Sequence, residues 1–445
     1  MIPSKEEGQA IVDRALSLSR ADDVHVTLTA TQMSHLRFAR NAPSTNGEQS
    51  DLVLTIESSF GKKSASTAVN QLDARTLAEA VARSEQLARL APDDPEHMPG
   101  LGPQAYVEVP TSYDERALEA GPAAIVRGTA RCIEQARALG MTAAGYSRLN
   151  ATAAWVGNQR GLRGHQRETN ASFSHTVRTA SGGGSGWAAG VGDAASQIDY
   201  GACSQVAIAK ARASVAPRPL APGKYVTILE PSCVASLIQL FLLGMNARSA
   251  EEGRSFFSKP GGKTKVGEQL FPEAVTLRSD PAASVAPGAA FGSEALPQRA
   301  RTWVDRGRLE ALTCDRFWAQ KQGREPLPAP SNLLMDGGKG TLEELIADTP
   351  RGVLITSLFY IRFVDPRTLL LTGLTRDGVF WIEGGKLSHP VNNFRWNESP
   401  ARVLSHIDAM TESVRAAPRE SMATNVVAPA LRVTEFELSS VSDAV

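Results

Sequence analysis

The sequence predicts an α+β protein of two domains, and three observations carry that reading. Apolar residues alternate with polar ones along several segments, a period of two that marks half-buried strands. Amphipathic helices bracket these segments rather than alternating strictly with them, which argues against a doubly wound parallel sheet. A proline-rich break, Pro217-Arg218-Pro219-Leu220-Ala221-Pro222-Gly223, then separates two strand-containing halves. Three prolines so close together cannot continue a helix. The boundaries expected are residues 1–216 for an N-terminal domain, a sheet with helices on one side, and 224–445 for a strand-rich, barrel-like C-terminal domain.

Residues 5–20 have Ile11, Ala15 and Leu18 at helical spacing. Val24, Val26 and Leu28 then alternate, as do Leu36 and Phe38, and Leu52, Leu54 and Ile56. His25 and His35 are expected to flank a hairpin between the first of these strands. Asp73 can cap a helix carrying Leu77, Val81, Ser84 and Ala88 in one stripe. Ala91 to Pro110 is rich in proline and should cross the surface. A second helix places Ile125, Thr129, Cys132, Ala136 and Leu139 on one side and ends at Gly140. Strands resume from Met141 to Val177 with a turn at Asn158–Gly161, followed by a Ser181–Gly186 loop and a helix over 197–214. Beyond the break, strands are expected at Tyr225–Leu229, Val275–Leu277, Gly352–Tyr360, Thr368–Leu371 and Val379–Glu383. One apolar helix, Pro231–Asn246, is set among them.

Composition narrows the function classes. Forty-seven basic residues balance forty-seven acidic ones. A nucleic-acid binder normally carries a basic surplus, so no nucleic-acid partner is expected. The most apolar run, Cys233–Met245, contains Ser236 and Gln239 and falls short of the ~20 apolar residues a spanning helix needs, so no membrane partner is expected either. The N-terminus is charged and amphipathic, unlike a signal peptide. Cys132, Cys203, Cys233 and Cys314 show no zinc-finger or redox spacing. A reduced, cytoplasmic compartment is the expectation.

The motifs offer little chemistry by themselves. Ser181–Gly186 lacks the register of a dinucleotide loop, and Gly261-Gly262-Lys263-Thr264 lacks the upstream glycine of a phosphate loop, since Phe257 stands there. It reads as a mobile surface loop. None of the seven histidines lies three to five residues from another. His165 and His175 could face one side of a strand pair, although ordinary strand positions are the plainer reading. Catalytic zinc usually takes two ligands from one helix, and no helix here offers two.

A more specific signal lies in the order of several segments. Pro222–Ala235 (PGKYVTILEPSCVA) resembles the strand that enters the motif helix of TldD/PmbA proteins. Gly253-Arg254-Ser255-Phe256 and Val266-Gly267-Glu268 follow as the loop after that helix does. Leu309–Leu312, Ser331–Leu333 and Phe380–Lys386 keep the family's order, and Leu36–Asn41 resembles its first hairpin. In that family one kind of subunit carries H-E-x-x-x-H on the motif helix and a cysteine near the C-terminus. The other kind, TldE/PmbA-like, lacks them and pairs with the first. Laid on this chain, the motif falls on Gln239, Leu240 and Gly244, and the last cysteine, Cys314, is far upstream of the terminal region. Gln239 offers at most an amide oxygen to a hard cation, and alone it does not hold zinc.

The resemblance therefore implies a non-catalytic subunit without a metal site or cofactor of its own. Zinc is expected in a TldD-like partner, and a dimer with that partner acting on unfolded or short peptides. Arg248, Arg254 and Ser255, in the loop after the motif helix, are the candidate peptide-channel residues. Two rival readings stand beside it. One is a self-sufficient peptidase with an unrecognised site. The other is a non-enzymatic modulator that binds another protein.

Overall fold

The computed structural model describes residues 2–420 and 425–443, the side chain of Ala120 excepted. Helix α1 (Lys5–Leu18) opens with a capping box, Ser4 and Glu7 exchanging side-chain to backbone hydrogen bonds of 2.8 and 3.1 Å. Strands β1 (Asp23–Ala39), β2 (Ala42–Phe60) and β3 (Lys63–Val69) follow, then α2 (Ala74–Leu90), capped by Asp73 as expected. After α3 (Glu115–Ala138) come β4 (Thr142–Asn158), β5 (Arg163–Arg178), β6 (Ser185–Gly192) and α4 (Tyr200–Ala213). The strands form one antiparallel sheet in the order β3-β2-β1-β4-β5-β6.

The helices cover one face of this sheet, as the sequence predicts. Even-numbered residues of β1, from Val24 to Leu28 and on to Leu36 and Phe38, point into two apolar clusters built with the four helices. The hairpin expectation needs correction. β1 is one continuous strand, and the chain reverses only at Arg40-Asn41, with φ of 51° and 61°. Positive φ at both positions matches the twist of a two-residue hairpin. His25 and His35 are therefore odd-numbered residues of the same strand, on the face away from the helices.

The second half begins with β7 (Gly223–Leu229) and α5 (Pro231–Gly244). The proline-rich segment before it is pinned by Arg218 N–H to the Pro390 carbonyl at 2.9 Å. This half is strand-rich, as expected, but its strands make two open sheets rather than a barrel. In the larger, β7 pairs in parallel with 351–355 and antiparallel with 431–442. The outer strands of that sheet, 358–365 and 386–390, are not paired to each other. The smaller sheet holds 277–279, 301–305, 308–309, 332–335, 414–416 and 425–428. Helix α5 is packed among these strands because it is apolar nearly all round. Its residues Cys233 through Gln239, with Phe241 and Leu242, are buried. The Gly261-Gly262 segment, expected to be a mobile loop, turns the short hairpin 258–264 with φ of 75° and 70°.

Polar contacts join the halves. Lys210 Nζ meets Glu230 at 2.7 Å, with both side chains largely buried, directly ahead of α5. Arg415 pairs with Asp193 at 2.9 Å. The carboxylate of Asp377, fully buried, receives the Ser185 hydroxyl and the Arg419 guanidinium. Arg419 also lies over the rings of Trp187 and Phe359, each at 5.3 Å.

Candidate functional site

Helix α5 is where the resemblance lays the metal motif, and packing residues stand at the three positions expected for it. Gln239 is 3% exposed and its amide donates to the Ala235 carbonyl one turn back at 3.1 Å. Leu240 packs partly buried against the core of the second half. Gly244 is the last residue of the helix, and a Cβ there would lie 2.4 Å from Leu369 Cδ2. The helix closes on a tight turn, with Met245 N–H bonded to the Leu242 carbonyl at 3.0 Å. An amide, a leucine and a glycine do not make a zinc donor set, which needs three imidazole, thiolate or carboxylate ligands. Among the described residues no three His, Cys, Asp or Glu side chains stand close enough to hold a metal ion.

The candidate channel residues fall into two groups. Arg248 forks onto Glu96 with bonds of 2.7 and 2.6 Å and also reaches Glu252 at 3.2 Å. Arg254 turns to the same Glu252, at 3.0 Å from Nε. The two guanidiniums thus converge on one carboxylate, and their charge is largely neutralised within the chain. Ser255 is buried beneath the end of α5, its hydroxyl donating to the Gly244 carbonyl at 3.3 Å.

The histidines are scattered. His165 and His175 share a single strand, ten residues apart on the helix-covered face, rather than meeting across a pair. His165 packs on Trp155 with ring centroids 5.0 Å apart. His175 is wedged between Phe38 and Phe173, and burial pushes its imidazole down to about 4. Burial likewise lowers His25.

A site the sequence analysis did not single out lies on the helix-free face of the first sheet. There β4 and β5 present Arg148, Asn150, Glu168 and Asn170 to a groove of about 470 Å³. Phe359, Pro418 and Arg419 from the second half form its opposite wall. Glu168 keeps solvent contact, yet desolvation by the surrounding walls, and then the charge of Asp193, raises its carboxyl above the usual range. The signal was present in the sequence. Tyr146, Arg148, Asn150 and Thr152, and Glu168, Asn170, Ser172 and Ser174, are two polar runs of period two. What periodicity alone cannot tell is whether a polar face meets bulk water or the other half of the chain.

A helix-covered antiparallel sheet, followed by two open sheets around a buried apolar helix, defines an α+β protein. Residues 222–440 match the model of the PmbA/TldA metallopeptidase C-terminal domain, which places that half of the chain in the TldD/PmbA family. TldE from Thermococcus kodakarensis superposes with a TM-score of 0.83 at 17% identity, over 97% of this chain and 99% of that one. A proposed modulator of DNA gyrase from Bacteroides thetaiotaomicron gives 0.84 at 19%, over 99% and 100%. Another, from Thermotoga maritima, gives 0.83 at 16%, over 96% and 99%. At these identities the likeness is one of fold. No curated protein matches the sequence.

Proposed function

We propose that this chain is the non-catalytic, TldE/PmbA-like subunit of a two-chain metallopeptidase. In this reading it pairs with a TldD-like subunit that carries H-E-x-x-x-H and zinc, and the pair cleaves unfolded or short peptides. The observation that supports it is α5: on the residues where the resemblance lays the motif, Gln239 bonds back to Ala235, Leu240 packs on the core and Gly244 ends the helix, so none offers an imidazole or a carboxylate. A leucine at the general-base position cannot take a proton from water. The division at 217–223 and a cytoplasmic location belong to the same reading. The free cysteines suit a reducing compartment. Among the described residues no helix is long and apolar enough to cross a membrane.

Co-expression with a H-E-x-x-x-H partner, size exclusion and a peptide digest test the proposal. A stable complex should form, and chelator-sensitive cleavage should require both chains. A partner equally active alone, or zinc-dependent cleavage by this chain alone, would refute it.

A further inference from the structure

The groove on the first sheet holds charged groups that the fold itself does not use. Arg148 forms no hydrogen bond or ion pair among the described residues, and its Nε is shielded from solvent. Glu168 also lacks a hydrogen-bonding or ion-pair partner there, whereas the neighbouring Asp193 is neutralised by Arg415. An uncompensated guanidinium beside a sheet is an expensive arrangement unless something else supplies the anion.

The register gives the spacing of the two charges. On adjoining strands Arg148 stands opposite Ser172, Asn150 opposite Asn170, and Thr152 opposite Glu168. Arg148 and Glu168 are thus two rows apart on one face, four residues along the strand, or about 14 Å at ~3.4 Å per residue. Between them lie the amides of Asn150 and Asn170 and the hydroxyl of Ser172, neutral groups able to bond a peptide backbone. Trp187 and Phe359 also line the groove, with Arg419 lying over their rings.

We propose that this groove binds short unblocked peptides of about four residues, the C-terminal carboxylate on Arg148 and the N-terminal ammonium on Glu168. An extended chain spans ~3.3–3.6 Å per residue, so about four residues bridge the two charges, whereas a dipeptide reaches only one. Arg suits the carboxylate because its planar fork offers two parallel donors. The inference deepens the peptidase-subunit reading by naming a class of substrate or product. It rests on that reading for the supply of peptides, while binding itself is a property of this chain alone.

The test is calorimetric titration of the isolated chain with tetra-alanine, N-acetyl-tetra-alanine, tetra-alanine amide and dialanine. Acetylation or amidation should each weaken binding about tenfold, and dialanine should bind more weakly than tetra-alanine. Arg148→Gln should remove the effect of amidation and keep that of acetylation, and Glu168→Gln should do the reverse. Equal binding of blocked and unblocked peptides by the unmodified protein would overturn the proposal without reference to any variant. So would tighter binding of blocked peptides, or no binding at all. No partner is present in this assay. An active complex combined with no peptide binding here would sink the groove alone, and peptide binding combined with an inactive complex would sink the subunit reading alone.

Discussion

His175 offers a quantitative test of how the first sheet is packed. The residue is 0% exposed, neither ring nitrogen has a hydrogen-bond partner among the described residues, and Phe38 and Phe173 stack on it at 5.9 and 5.7 Å. The imidazole behaves as a small aromatic ring, and burial holds its folded pKa down at about 4 against an ordinary 6.5. As pH falls below 6.5 the unfolded chain takes up a proton that the folded chain refuses until about 4. Stability is therefore full above 6.5 and declines through the window between the two values. At 1.36 kcal/mol per unit, the whole window is worth about 3 kcal/mol, and about 2 kcal/mol of it has gone by pH 5. His175→Phe cannot take up this proton. Its absolute stability shifts with the larger ring by ~1–3 kcal/mol. Its pH dependence should nevertheless be shallower than that of the parent by about 2 kcal/mol between pH 7.5 and 5. His175→Leu should show the same flattening. Urea midpoints at the two pH values measure this, with hydrogen exchange over 163–178 locating the effect in β5. Parallel pH profiles for the parent and both variants would refute the reasoning, because a proton bound equally in both states has no linkage.

Further outcomes follow from other contacts. Gln239→His, Leu240→Glu and Gly244→His together should give a less stable protein that binds zinc weakly and cleaves no peptide by itself. A side chain at 244 collides with Leu369, and a glutamate at 240 is placed against an apolar core; thermal melting and elemental analysis check this. Asp377→Ala should destabilise by ~3–5 kcal/mol, because Arg419 loses a fully buried partner, with thermal denaturation as the readout. Gly8→Ala in α1 should cost ~1–3 kcal/mol despite alanine's better helix propensity. Its Cβ would sit 2.2 Å from the Trp155 ring, and the urea midpoint would show the loss.

Local chemistry made much of the fold legible. Asp73 at the head of α2, Gly140 with φ of 65° after α3, and the apolar alternation of β1 and β4 each act over a few residues, where one sequence suffices. That Gln239, Leu240 and Gly244 offer no imidazole or carboxylate was equally plain, since it depends on residue type alone. The extent of β1 was not legible. Between Leu28 and Leu36 its alternation fades into Thr29, Thr31, Gln32 and Ser34, which only pairing with β2 and β4 on both sides holds in a strand. A barrel could not be told from two open sheets, because closure depends on which distant strands meet. Nor could Arg248 and Arg254 be separated from Arg148 by sequence. All three are arginines among polar neighbours, and the first two find glutamates while Arg148 faces a groove. Sequence by itself determined most elements of the first half, its helix-covered face and the apolar helix α5, whereas strands such as 332–335 and 431–442 were not legible and the expected strand 352–360 is two, 351–355 and 358–365. Tertiary structure decided which arginine met a distant carboxylate, because only folding brings Glu96 to Arg248 across 152 residues and leaves Arg148 facing a groove, whereas Glu252 already lies two residues from Arg254.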